Sequence, residues 1–141
     1  MKVDYGLRAL VYLAQNYGRD ASLTSDIAAG QAIPLPFLKQ LLTDLRRAGL
    51  VQSRRGRHGG HLLAMPPAKI HLYEVVAALE GLPTLLDCLG DARECSLAVS
   101  CSQRLLWQRI GASIEETLKT TTLADLVEQK RRLLEQGSYF I

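Results

Sequence analysis

Three observations predict a mainly α-helical chain with one small β-hairpin. Apolar residues recur at helical spacing in "DYGLRALVYLAQNYG" and again in "LPFLKQLLTDLRRAGL". A glycine- and arginine-rich stretch, "LVQSRRGRHGGHLLA", lies between two short apolar arms in mid-chain. The last third then returns to long helix-periodic segments. With 141 residues the chain suffices for one globular domain, or for a small domain with an attached helical arm.

Each element follows in order. Leu7, Leu10, Val11 and Ala14 place a first amphipathic helix before Gly18. Thr24 or Ser25 offers a cap for a short second helix holding Ile27 and Ala28. Pro36 suits the first turn of a third helix, because its missing N–H is not needed there. Leu38, Leu41, Leu42 and Leu45 make that helix's core stripe, and Gly49 ends it. Leu50–Val51 and Leu62–Leu63 are the arms of a hairpin whose bends use Gly56, Gly59 and Gly60. Leu72, Val75, Val76 and Leu79 line a fourth helix that ends at Gly81. A cysteine-bearing segment interrupts the order, with Pro83 and Gly90 as breakers. A long helix from about Ala98 to Lys119 and a last helix in "TLADLVEQKRRLLE" complete the chain, and the tail "QGSYFI" is expected to be loosely held.

Three helices followed by a hairpin are the order of a winged helix-turn-helix. The full expectation is a winged helix-turn-helix domain over 1–81, a cysteine loop over 82–102, and a long C-terminal dimerisation helix with a last helix over 98–141. The apolar stripe Leu105, Leu106, Ile110, Ile114 and Leu118 is too long for a small domain to cover alone, which points to a second copy of the chain across a two-fold axis.

Charge singles out one block. Residues 39–61 carry Lys39, Arg46, Arg47, Arg54, Arg55 and Arg57 against Asp44 alone, a local +5 in a chain of net +3. Residues 1–38 balance three bases with three acids, and residues 62–141 set eight bases against ten acids. A solvated face is the plain reading of such charge. Its coincidence with the third helix and the hairpin favours a nucleic-acid footprint on double-stranded DNA. Leu35, Pro36, Lys39 and Gln40 stand where a recognition helix enters the major groove. Thr43 and Arg46 lie further along the helix, towards phosphates. Arg54, Arg55, Arg57 and His58 form the hairpin tip, placed for the DNA backbone or a minor groove.

No run of about eighteen apolar residues occurs, so no membrane span is expected. Asp4 and Arg8 interrupt the amino end where a secretory signal needs apolar residues. A cytoplasmic location is expected, where a structural disulfide is disfavoured.

All three cysteines, Cys88, Cys95 and Cys101, fall within "DCLGDARECSLAVSC". Small buried hydrophobes are the plain reading, and the surrounding Gly90, Asp91, Arg93 and Glu94 argue against it. Structural zinc uses tighter pairs and a fourth ligand. A cysteine nucleophile needs a basic partner, and none is identifiable. Three thiolates on one loop also suit an iron–sulfur cluster, with a fourth ligand from elsewhere.

The chain resembles the Rrf-type family of winged-helix transcription regulators, which includes iron–sulfur, nitric-oxide and cysteine-metabolism regulators. The residues that carry the resemblance are "DYGLRALVYLA", "LPFLKQLLTDLRRAGLVQSRRGRHGGHLL", the three-cysteine loop, "LLWQRI" and "TLADLV". The resemblance implies a homodimer on a pseudo-palindromic operator and a two-iron or four-iron cluster in the cysteine loop, absent from an apo preparation. One branch completes its cluster with a histidine three residues after the last cysteine. Arg104 stands there, and arginine does not ligate iron at ordinary pH. Another branch uses an aspartate of the first helix, which corresponds to Asp4. The expectation is therefore a regulator sensing redox, nitric oxide or iron–sulfur status through Cys88, Cys95, Cys101 and Asp4, and not an enzyme. The alternatives are a cluster-free or thiol-switch repressor and, with no nucleotide-binding glycine motif to support it, an iron–sulfur redox protein.

Overall fold

The computed structural model of the protein describes residues 2–81 and 87–138. The first helix, α1 (Lys2–Gln15), buries Ala9, Leu10, Leu13 and Ala14. Helices α2 (Thr24–Gln31) and α3 (Leu35–Arg47) follow, and α3 buries the four leucines of its stripe, Leu38, Leu41, Leu42 and Leu45. Each such leucine contributes about 1.5–3 kcal/mol by leaving water. The α2–α3 turn is made by Ala32 in the left-handed conformation, φ 52°, with its N–H donating to the Ala28 carbonyl. An L-residue held there costs about 1–2 kcal/mol, so the turn is held by the packing on either side.

Helix α3 ends in a paired-carbonyl cap. Leu50 N donates to Leu45 O at 3.0 Å and Gly49 N to Arg46 O at 3.0 Å. Gly49 supplies the positive φ, 79°, that this motif needs. The chain then enters β1 (Val51–Arg54), which pairs antiparallel with β2 (Gly60–Leu63) in the register Val51↔Leu63 and Arg54↔Gly60. Ser22 adds a one-residue bridge to His61 on the outer edge of β2. A Cβ on Gly60 would lie 2.4 Å from the Ser22 carbonyl oxygen, so only glycine lets the α1–α2 connection meet the hairpin.

Beyond a 3-10 turn (Pro67–Lys69), α4 (Leu72–Glu80) buries Leu72, Val75 and Leu79. Val76, expected on the same face, is half-buried. The one-turn helix α5 (Asp87–Gly90), α6 (Arg104–Thr120) and α7 (Leu123–Ser138) complete the order. Helix α7 does not stand off as an arm. Leu123 is fully buried in the same core as Leu10, Leu38 and Val75, with Leu126 and Val127 packed against it. Backbone bonds pin the α6–α7 turn beside α4, from Leu72 N to Thr121 O at 2.9 Å and from Leu123 N to Ile70 O at 3.0 Å. Thr122 and Asp125 cap α7 reciprocally, at 2.9 and 3.3 Å.

Two sequence expectations are corrected. Leu23, not Thr24 or Ser25, precedes the first turn of α2, which carries no side-chain cap; Thr24 is the first helical residue and its hydroxyl bonds elsewhere. The long helix starts at Arg104, not near Ala98. Residues 95–103 instead make tight turns closed by Ala98 N to Cys95 O and Ser100 N to Leu97 O. Leu97 and Val99 are exposed, so no apolar face draws that stretch into a packed helix. Pro83 and residues 139–141 of the tail lie outside the described residues, whereas 136–138 are helical.

Candidate DNA-binding face and cysteine segment

The buried leucine stripe of α3 turns its opposite side outwards. Leu35, Pro36, Lys39, Gln40, Arg46 and Arg47 are exposed on it, and Thr43 is half-exposed. Phe37 is also exposed there and meets Tyr5 of α1 edge-on, ring centroids 5.4 Å apart. Three groups on this face are tied locally. Gln40 Nε2 donates to Asp44 at 3.1 Å, Lys2 approaches the same carboxylate at 3.4 Å, and the Thr43 hydroxyl donates back to the Lys39 carbonyl at 3.0 Å. Asp44, the one acid of the basic block, is thereby engaged within the protein. At the hairpin, Arg54, Arg55, Arg57 and His58 are all exposed. Among the described residues none of these four, nor Lys39 or Arg47, has a carboxylate partner.

The structure adds residues that the sequence reading passed over. His61 of β2 lies between the three elements of this face. Its Nε2 is 2.9 Å from Thr24 Oγ1 on α2, and its Nδ1 is 3.5 Å from Ser53 Oγ on β1. Arg46 of α3 donates to the same Ser53 hydroxyl at 3.4 Å. Burial, and then the nearby Arg46 charge, hold His61 below its ordinary pKa of 6.5. The available signal was the strand alternation that turns His61 to the same face as Ser53; its Thr24 partner is 37 positions away and left no local trace.

The cysteine segment is mostly turns. Cys88 lies on α5, and its side chain is outside the described residues. Cys95 and Cys101 are free thiols, each partly exposed. Asp91 and Arg93, between Cys88 and Cys95, form an exposed ion pair at 2.8 Å that holds the Asp91 carboxyl below its usual range. Arg104 opens α6 with its N–H on the Cys101 carbonyl at 3.3 Å. Its side-chain Nε is buried and has no hydrogen-bond partner. Asp4 is exposed on α1 and ion-paired with Arg8 at 2.9 Å. Among the described residues no three His, Cys, Asp or Glu side chains converge, so one chain does not join Asp4 to Cys95 and Cys101.

On α6, Leu105 and Leu106 are exposed, and Ile110 and Ile114 are each 37% exposed. Leu118, expected in the same stripe, packs partly against the chain's own core. No helix is long and apolar enough to cross a membrane among the described residues.

A helix-turn-helix whose third helix and hairpin share one face of unpaired cations is the build of a winged helix-turn-helix transcription regulator. Known proteins agree: the chain belongs to the Rrf2 family, described as iron-dependent transcriptional regulators, which matches residues 1–129. That is a family of regulators, not of enzymes. The chain is 34% identical over 122 residues to the HTH-type transcriptional regulator CymR of Bacillus subtilis, spanning 86% of this chain and 83% of that protein. It is similar to the solved structure of CymR (YrzC), the global cysteine regulator of B. subtilis, with TM-score 0.77 and 33% identity, covering 92% of this chain and 95% of that one. It is equally similar to T. potens IscR, with TM-score 0.76 and 33% identity over 92% and 85% of the two chains.

Proposed function

We propose that this chain is a homodimeric regulator that binds a pseudo-palindromic operator and changes its DNA affinity with the state of an iron–sulfur cluster on the cysteine segment. The observation that carries the DNA half is the set of unpartnered cations shared by α3 and the hairpin. Lys39 and Gln40 would read base edges, while Arg46, Arg54, Arg55 and Arg57 neutralise phosphates. The exposed side of α6 supports the dimer. Leu105, Leu106, Ile110 and Ile114 leave water only when a second copy covers them, and two copies would set the recognition helices about one helical turn of DNA apart.

The donor chemistry of the cysteine segment fits a cluster. Cys88, Cys95 and Cys101 would hold it as thiolates. The orphaned Arg104 N–H in the same segment is a donor that sulfur acceptors can satisfy. When bound, such a cluster supplies a redox-sensitive and gas-sensitive group. Asp4 is the candidate fourth ligand; since it stands apart from Cys95 and Cys101 within one chain, it would serve the second copy's cluster. There it would link α1, which packs on α3, to that cluster.

A cluster-free thiol switch is the second reading. Two partly exposed free thiols, and similarity to a protein titled a global cysteine regulator, favour it. Anaerobic purification with iron and sulfide counted, followed by DNA binding of the loaded and stripped forms, separates the two. The cluster reading expects near-stoichiometric iron and sulfide and an affinity that differs between forms. Colourless protein whose DNA affinity responds only to thiol oxidation would replace it with the thiol switch.

A further inference from the structure

The basic face contains a small cavity that no simple picture of exposed arginines explains. It has a volume of about 210 Å³ and is lined by Thr24, Lys39, Leu42, Thr43, Arg46 and His61. That is several times the ~30 Å³ that one water occupies in the liquid, enough for a phosphate group. Its lining converges from the start of α2, the outer side of α3 and the outer strand of the hairpin. No carboxylate lines it, and every polar side chain that does is a hydrogen-bond donor or can become one. We infer that this cavity is a seat for one backbone phosphate of DNA, closed by Arg46 and the His61 imidazole, and that His61 takes up a proton when the phosphate is seated.

This inference rests on the DNA-binding reading and deepens it. The geometry explains why the seat is available. Arg46 and His61 share the Ser53 hydroxyl through long contacts of 3.4 and 3.5 Å, which a charged oxygen readily outcompetes. The firm bond of His61 is the one to Thr24 at 2.9 Å, and it fixes the ring in the cavity's lining between α2 and the hairpin.

The charges around the ring set the sign. Lys39 and Arg46 face it from α3. Arg19 and Asp20 from the α1–α2 connection and Arg54 from β1 line the adjoining cavity with it, and α2 presents the neutral Thr24. One acid against four bases leaves the ring in a positive field; burial first, and then the Arg46 charge, lower its pKa in the free protein. A seated phosphate reverses that field and raises the pKa. The complex then binds more protons than its parts, so affinity rises as pH falls through the complex's pKa and levels off below that of the free protein.

The test uses the full-length protein and a mixed-sequence duplex, because every duplex offers the same phosphate. Anisotropy titrations at low salt would run from about pH 7.5 down to about pH 5.5, with affinity expected to rise about three- to tenfold, tenfold corresponding to one unit of pKa difference. His61→Gln should flatten that rise, while His71→Gln, at a residue that lines neither cavity, should keep it. As a second measurement, NMR of the His61 ring in wild-type protein should show a higher pKa with duplex than without. An undiminished rise in His61→Gln, or the same ring pKa with and without DNA, would overturn the seat while leaving DNA binding intact. Destabilisation of His61→Gln together with an unchanged pH slope would assign His61 a purely structural role and overturn the seat as well. A wild type that binds no duplex at low salt would remove the DNA-binding reading itself, and the seat with it.

Discussion

Arginines serve opposite ends in the two halves of this molecule. On α7, Arg131 and Arg132 both bind Glu128, at 2.8 and 2.9 Å, and Arg131 also pairs with Glu135. These pairs hold the Glu128 carboxyl down at about 2 and push the Arg131 guanidinium upward. Lys119 on α6 is likewise paired with Glu115 at 2.6 Å. On the hairpin, Arg54, Arg55 and Arg57 have no carboxylate partner, and Asp44 is already held by Gln40 and Lys2. Lys119, Arg131 and Arg132 are therefore neutralised within the C-terminal helices, while the cations of the hairpin, with Lys39 and Arg47 of α3, are left open for an external anion. The difference teaches that counting basic residues is a weak guide to a nucleic-acid face, and that counting those without partners is a sharper one.

The largest effect expected comes from the C-terminal half, through the apolar face of α6. If α6 contributes geometry and not charge, Ile110→Asp with Ile114→Asp should give a monomer whose operator affinity falls by about 10²–10⁴, the avidity lost with the second recognition helix. Sedimentation and titration on the same samples check it. A wild type that sediments as a monomer at micromolar concentration would break this side of the comparison.

Next in size is the contrast between the arginines themselves. Arg55→Ala should weaken binding to most sequences and lower the slope of log affinity on log salt by about 0.9. Arg132→Ala should leave both unchanged. Lys39→Ala or Gln40→Ala should instead shift the preferred operator, with about 1–3 kcal/mol lost per base discriminated. Equal salt slopes for Arg55→Ala and wild type would show that the open charges of the hairpin do not touch phosphate.

Much of this arrangement was legible in the order of residues, and the misses share a cause. The leucine stripe of α3, its end at Gly49 and the arms of the hairpin depend on neighbours within a few positions, and the periodicity showed them. The errors arose where a distant partner decides. Thr24 reads as a helix cap, but its hydroxyl is taken by His61. Leu118 reads as one more residue of an interface stripe, and its partial packing against the chain's own core left no trace in the spacing. The last helix reads only as a helix; its place in the core is set by Leu123 and by backbone bonds beside Ile70. The basic block was visible as composition; that its cations are unpartnered was visible only once Asp44 had been placed. The three cysteines were legible as a group, whereas whether they meet at one point depends on side chains that sequence spacing does not orient.

The smallest effect expected is on stability, and it reads the open charge of the DNA face without any DNA. His61 is held below its ordinary 6.5 by partial burial first and by Arg46 second. The unfolded chain titrates near the ordinary value, so at pH below about 6.5 it binds more protons at this position than the folded chain does. Unfolding is then favoured as pH falls through that value, and the loss levels off once the folded-state pKa has also been passed. The ring is only partly buried, so solvent screening keeps the effect small. Chemical denaturation at a series of pH values should show a midpoint that declines in this window in wild type. The decline should be reduced in His61→Gln. Arg46→Gln should also reduce it, by removing the nearby charge while leaving the burial in place. A midpoint that declines identically in wild type and Arg46→Gln would mean that the positive field of this face is fully screened in the free protein. The contrast with the neutralised charges of α7 would then be one of geometry alone.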